Sequence, residues 1–111
     1  LVGKAHKQSR LERVAPEGQT MKSIIQTEKK CYICGKVSGL HSHHIIFGNP
    51  GRKNSEKYGL KVWLCMDHHT GNIGVHQDIN LDRYLKRIAQ TEFERRYSHE
   101  KWMEVFGRNY L

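Results

Sequence analysis

Two dyads constrain this chain more than any other feature: Cys31-x2-Cys34, followed at once by Gly35, and Cys65-x2-His68 about thirty residues later. Each can clip a tetrahedral ion from a tight turn. Three thiolates and one imidazole satisfy zinc completely and leave no position for water, so such an ion would hold structure and do no chemistry. A chain of 111 residues is one domain at most and buries little apolar surface in reserve, so a metal staple is expected to help it fold. The three cysteines are an odd set, and the first residues, LVGKAHKQSR, lack the apolar core of an export signal. Metal ligation or free thiols in a reducing compartment is therefore expected ahead of a disulfide framework. His68 also stands where a second site could claim it, so its place in the zinc set stays open.

Composition narrows the class further. Only 37% of residues are hydrophobic, and no apolar run approaches the roughly 20 residues that cross a bilayer, so no membrane partner is expected. Lysine and arginine number 19 against 11 acids, a net charge of +8 that favours a polyanionic partner and would equally serve a solvated basic surface. Residues 1–20 show no periodicity and hold Pro16 and Gly18, while Met21-Lys22 reads as a start. They are expected to be a flexible arm or an appended segment, with 21–111 the folded domain. The basic excess survives without them.

Along the domain, glycines at 35, 39, 48, 51 and 59 suit short strands and loops better than helix. Leu40 to Ile46 reads as an extended segment that puts His41 and His43 on one face and His44 on the other. Residues 47–59 read as an exposed loop carrying Arg52 and Lys53. Lys61 to Cys65 is a second strand, and a short helix is expected from Met66. Leu81, Leu85, Ile88, Ala89, Phe93 and Tyr97, spaced by threes and fours, mark the apolar face of a long helix capped by Asp78 or Asn80 and packed on the strands. Ser98 is expected to cap a short last helix with Trp102, Met103 and Phe106 inside and Gly107 at its end. The fold class is α+β.

With the dyads assigned, His43, His44, His69 and His76 remain close in sequence, and a zinc held by Cys65 and His68 would draw His69 towards His43 and His44. Phosphodiester cleavage needs a deprotonated water and positive charge against the phosphate and leaving oxygen. A neutral imidazole can supply the first and a divalent ion the second. Adjacent histidines on a strand point oppositely, so one can bind the ion while its neighbour addresses water. His41 is expected to orient a ligand. Arg52 and Lys53 are candidate phosphate contacts, as are Arg83, Lys86, Arg87, Arg95 and Arg96, although Asp82 and Glu92 stand four residues before Lys86 and Arg96 and can pair with them. His6 and His99 read as surface residues.

The ordered run CYIC…LHSHHI…LKVWLC-x2-HH…VH, residues 31 to 76, resembles the HNH (His-Me finger, ββα-metal) nucleases, and the GNPGRKNSEKYGL stretch resembles small phage- or prophage-encoded members. The resemblance implies a zinc-stapled ββα-metal finger over 21–111. It implies His43, His69 and His76 as ligands of a catalytic ion, with His69 opening the short helix, and His44 as general base. Cys31, Cys34, Cys65 and His68 would hold structural zinc, His68 replacing the usual cysteine. The usual middle asparagine is replaced by Leu60, with Asn54 and Asn72 as candidates for its role. Expected with it are a catalytic Mg2+, Mn2+, Ni2+ or Zn2+, DNA ahead of RNA as partner, hydrolysis of phosphodiester bonds, and a cytoplasmic location in a bacterial or phage-infected cell. The alternative is a non-catalytic zinc-stabilised DNA-binding module, with a protein-interaction zinc module behind it.

Overall fold

The structure, a computed structural model, describes residues 21–111; the expectations for 1–20 and for His6 lie outside the described residues. Among the described residues the protein is a small α+β fold of one two-stranded sheet and four helices. Strand β1 (Leu40–His44) runs antiparallel to β2 (Lys61–Cys65), with His43 opposite Val62 and His44 opposite Lys61. Helix α1 (Gly51–Tyr58) joins the strands, and α2 (Met66–His69) follows β2 without a break. The long α3 (Ile79–Arg96) and the short α4 (His99–Phe106) complete the chain. No helix among the described residues is long and apolar enough to cross a membrane.

The stretch expected to be a loop from 47 to 59 is largely helical. Ser55 is fully buried between α1 and β1, its hydroxyl donating to the Ile46 carbonyl at 2.6 Å and accepting from the Ile46 amide at 3.2 Å. Tyr58, three residues on, is buried on the same side of the helix. Gly59, in the left-handed conformation at φ 73°, ends the helix, and a side chain there would strike the Lys22 carbonyl. Its glycine is thus a helix stop, not a loop marker. Arg52 and Lys53 are exposed, as expected, but on the first turn of α1.

Asp78 caps α3, its carboxylate accepting from the amides of Asn80 at 2.9 Å and Leu81 at 3.3 Å. Leu85, Ala89 and Phe93 are completely buried along the expected face. That face packs mainly on α4 and not on the strands: the Phe93 ring lies 5.4 Å from Trp102, 5.8 Å from Phe106 and 5.1 Å from Tyr58 of α1. Ser98 caps α4 and Gly107 closes it at φ 72°. Met103, expected inside, is 36% exposed, because one residue's rotation from the buried Trp102 turns it out of the interface. Gln90 is buried in the midst of these apolar groups. Its amide oxygen accepts from the Tyr110 amide at 2.7 Å and its nitrogen donates to Asn109 Oδ1 at 2.7 Å, which ties the C-terminal tail to α3.

Because Phe93 is the common neighbour of α1, α3 and α4, Phe93→Ala should lower the unfolding free energy by about 3–5 kcal/mol. Urea denaturation checks this, and a loss below about 1 kcal/mol would show that the three helices do not share a packed centre.

Candidate metal centre

Two clusters flank the junction of β2 and α2. In the first, the turn at 31–35 is held by the Gly35 amide donating to the Cys31 carbonyl at 2.8 Å and the Cys31 amide donating to the Lys36 carbonyl at 2.7 Å. Gly35 turns the chain at φ 80°. The turn is tied to the edge of β2 by the Tyr32 amide, which donates to the Trp63 carbonyl at 2.8 Å. Cys34 Sγ then lies 3.8 Å from Cys65 Sγ, while His68 Nδ1 lies 3.8 Å from Cys31 Sγ and 3.3 Å from Cys65 Sγ. Zinc–sulfur bonds of about 2.3 Å and zinc–nitrogen bonds of about 2.0–2.1 Å in a tetrahedron require separations of about 3.6–3.8 Å. Cys31, Cys34, Cys65 and His68 form a cluster that could hold a metal ion such as zinc. Burial opposes ionisation of Cys31, but backbone amides of Cys65, Cys34 and Ile33 and the Cys34 thiol outweigh it and bring its pKa down to about 6. Cys31 thus favours the thiolate, the form in which sulfur binds zinc.

The second cluster lies on the other side of α2. Successive helical residues are about 100° apart, so His68 turns to the sulfurs and His69 to β1. His69 ends α2; the expectation that it opens the helix is corrected, since the helix already begins at Met66. The chain then folds back. The Val75 amide donates to the His68 carbonyl at 2.9 Å, and a side chain at Gly74 would come within 2.7 Å of the His69 carbonyl oxygen. This close approach, open only to glycine, returns His76 to His69 across a loop and accounts for their seven-residue separation. The rings of His43, His69 and His76 lie 4.9–5.3 Å apart, and their ligand nitrogens lie within 4.8 Å of one another.

The fit of a cation here has an independent sign. His43 is only 2% exposed, and its Nε2 is buried with no hydrogen-bond partner, a costly arrangement that a bound ion would relieve. Burial first, then the neighbouring His69, His76, His44 and Lys86, bring the His43 pKa down to about 3. Burial, His76 and His41 push His69 down as well. These imidazoles are held neutral, the form that ligates a metal. His69 Nδ1 meets His41 Nδ1 at 2.9 Å, leaving its Nε2 to face His76 Nε2 at 3.3 Å. His41 is therefore placed to orient His69, as expected. His76 is exposed, so the cluster opens to solvent on one side.

His44 points away from this cluster, as strand alternation requires. Its Nε2 lies 2.6 Å from Glu56 Oε1, and Glu56 Oε2 lies 3.0 Å from Lys61 Nζ. Burial raises the Glu56 pKa, but hydrogen bonds and charge from His44 and Lys61 prevail and hold it below the usual carboxylate range. An ionised carboxylate only accepts, so His44 Nε2 carries the hydrogen of this bond. Glu56 and Lys61 were not foreseen. Glu56 falls in the stretch read as loop, and Lys61 is identified only by the register that sets it opposite His44.

Arg52 stands four residues before Glu56 on α1 and so on the same face. Lys86 and Arg96 are engaged by Asp82 at 2.8 Å and Glu92 at 3.2 Å, the pairings their spacing allowed. Lys86 also lies 4.5 Å over the Phe47 ring, which borders His43 and His76. His99 is exposed and meets Glu94 at 2.7 Å. Neither candidate for the missing asparagine belongs to the cluster: Asn54 donates to the Val105 carbonyl at 3.4 Å, tying α1 to α4, and Asn72 is exposed after α2. No family model or curated protein matches this sequence, and no solved structure matches the fold.

His43 supplies a test. With a folded pKa near 3 against about 6.5 unfolded, the folded state stays neutral while the unfolded chain takes up a proton as pH falls below about 6.5. The stability from neutral His43 is present above that pH and is lost on the way down, at up to about 1.4 kcal/mol per pH unit. Urea unfolding between pH 7 and 5 should give His43→Gln a shallower slope than the parent, the difference growing towards one proton as pH nears 5; equal slopes would contradict the burial of His43.

Proposed function

We propose that this protein is a metal-dependent endonuclease with a ββα-metal site of the HNH kind, hydrolysing phosphodiester bonds in DNA in preference to RNA. One observation carries the reading. On a single strand, His43 joins His69 and His76 in an open-sided cluster, while the next residue, His44, is held by a carboxylate on the opposite face. A ligand set and a base on neighbouring residues are the two things that cleavage of a phosphodiester requires.

A divalent ion bound by His43, His69 and His76 would supply positive charge against the phosphate and the departing oxygen; Mg2+, Mn2+, Ni2+ and Zn2+ are the candidates, and a nitrogen-rich set favours the later metals in affinity. The remaining work falls to the chain. His44 takes a proton from water at Nδ1, and the charge that forms on its ring is stabilised through Nε2–H by Glu56. Lys61 keeps Glu56 ionised and so keeps His44 in the right tautomer. Arg52, on the face of α1 that carries Glu56, is placed to meet a backbone phosphate, with Lys53 beside it. The Cys3His cluster keeps α2 in place and takes no part in proton transfer. The reduced thiols and basic charge suit nucleic acid in a cytoplasm.

His44→Ala should keep the fold and the zinc but lower nicking of supercoiled DNA by at least about a hundredfold. Glu56→Gln should lower kcat by about tenfold to a hundredfold with little change in KM, because it disturbs orientation and charge and not substrate binding. Undiminished cutting by purified His44→Ala would sink the assignment. A parent protein that binds DNA but does not cut it, whichever divalent metal is supplied, would favour the zinc-stabilised binding module.

A further inference from the structure

The face of the hairpin that carries His44 has a second feature. Residues 21–32 run along the outer edge of β2: the Ile24 amide donates to the Gly59 carbonyl at 2.9 Å, and Gln26 Oε1 accepts from the Trp63 amide at 2.8 Å. Between this segment and the sheet lies a trough of about 530 Å³ lined by Lys22, Gln26, Thr27, Ser42, Lys61 and Trp63, among others. Ser42 and Trp63 are paired across the strands, two register steps from the pair of His44 and Lys61 and so on the same face of the hairpin. Lys61 belongs both to the trough wall and to the Glu56 bridge, so the trough ends beside His44.

We propose that this trough binds one unpaired nucleotide strand, with a base against Trp63 and the adjoining phosphates towards Lys22 and Lys61; this rests on the nuclease reading of His44 and extends it to the class of substrate. Size comes first: a trough of this volume matches sites for small organic groups and is too small to enclose a double helix. Chemistry comes second. An indole beside cations is what single-strand sites use, since every base has a π-face and every residue a phosphate. Third, among the described residues the hydroxyls of Ser42 and Thr27 and the ammonium of Lys22 have no side-chain partner within the protein, whereas Gln26 and Ser23 are engaged in holding the wall. The acids nearby do not oppose a phosphate unbalanced: Glu56 is matched by Lys61, and Glu28 by Lys30 at 3.6 Å. Lys29 lies 4.7 Å over the Trp63 ring but outside the trough walls, adding positive charge without filling the space. A strand seated there would run directly to His44, so the protein would act on unpaired or locally opened nucleic acid.

The test uses the full chain as His44→Ala, so that the probe survives, and reads the anisotropy of a labelled oligothymidylate of about eight nucleotides. Trp63 also reports directly, because Trp102, the other tryptophan, is fully buried and out of a base's reach. Binding should quench the emission, and Trp63→Leu should weaken binding by about tenfold or more, with Trp63→Phe restoring much of it. Ser42→Ile, an exposed strand position where a branched side chain keeps the strand and fills the trough, should weaken it similarly. A duplex of equal length should compete poorly. Equal competition by duplex or heparin, or Trp63→Leu and Ser42→Ile binding like the parent, would reduce the trough to unspecific charge and overturn the proposal. The nuclease reading is scored separately by cutting: a parent that cuts without Trp63-dependent binding keeps the enzyme and loses the trough. Trp63-dependent binding without cutting does the reverse.

Discussion

The closure of Cys31, Cys34, Cys65 and His68 on one point is the constraint on which the remainder of the structure depends. The described residues form one small sheet and a core built of a few large side chains, so this cluster bears heavily on the junction of β2 and α2. Pinning Cys65 and His68 to the turn at 31–34 sets the rotation of a helix only four residues long, and that rotation aims His69 at β1. A four-residue helix has too few hydrogen bonds of its own to hold a direction. The ring cluster of His43, His69 and His76 is in this sense a consequence of the sulfur cluster beside it.

The hairpin then divides the chemistry. Because strand side chains alternate, one residue step separates the buried His43, without a partner at Nε2, from His44, bridged to Glu56 and Lys61. A slip of one residue in register would exchange the two faces and destroy both arrangements. Several contacts guard the register. The Ile45 amide donates to the Leu60 carbonyl at 3.0 Å, Ser55 holds Ile46, and the fully buried Ile45, Leu60 and Leu64 have no alternative face to occupy. Leu60 thus serves packing and backbone pairing.

Much of this was legible in the sequence. The dyads announce their cluster because few other reasons place Cys-x2-Cys-Gly in a chain with no disulfides, and the long helix announces itself through an apolar period sustained over several turns. Strand alternation correctly separated His43 from His44. Helix α1 was not legible: it spans two turns, one of its two buried anchors is a serine, and glycines lie at both ends. Its loss from the reading hid Glu56, and with Glu56 the group that fixes the tautomer of His44. The approach of His76 to His69 was foreseeable only as a ligand at an unusual spacing, because the fold-back depends on a backbone contact at Gly74 that no periodicity encodes. Gln90 stood on the inner side of α3 as a polar residue whose partners lie in an irregular tail.

The proposed function implies one cation on either side of α2, one sealed by sulfur and one open among imidazoles. Anomalous diffraction from crystals grown with zinc and soaked in manganese tests it most directly. The account requires a zinc peak about 2.3 Å from the sulfurs of Cys31, Cys34 and Cys65, and a second, exchangeable peak within bonding distance of His43, His69 and His76. A zinc peak at the sulfurs with no density among those three rings at any soak concentration would contradict it.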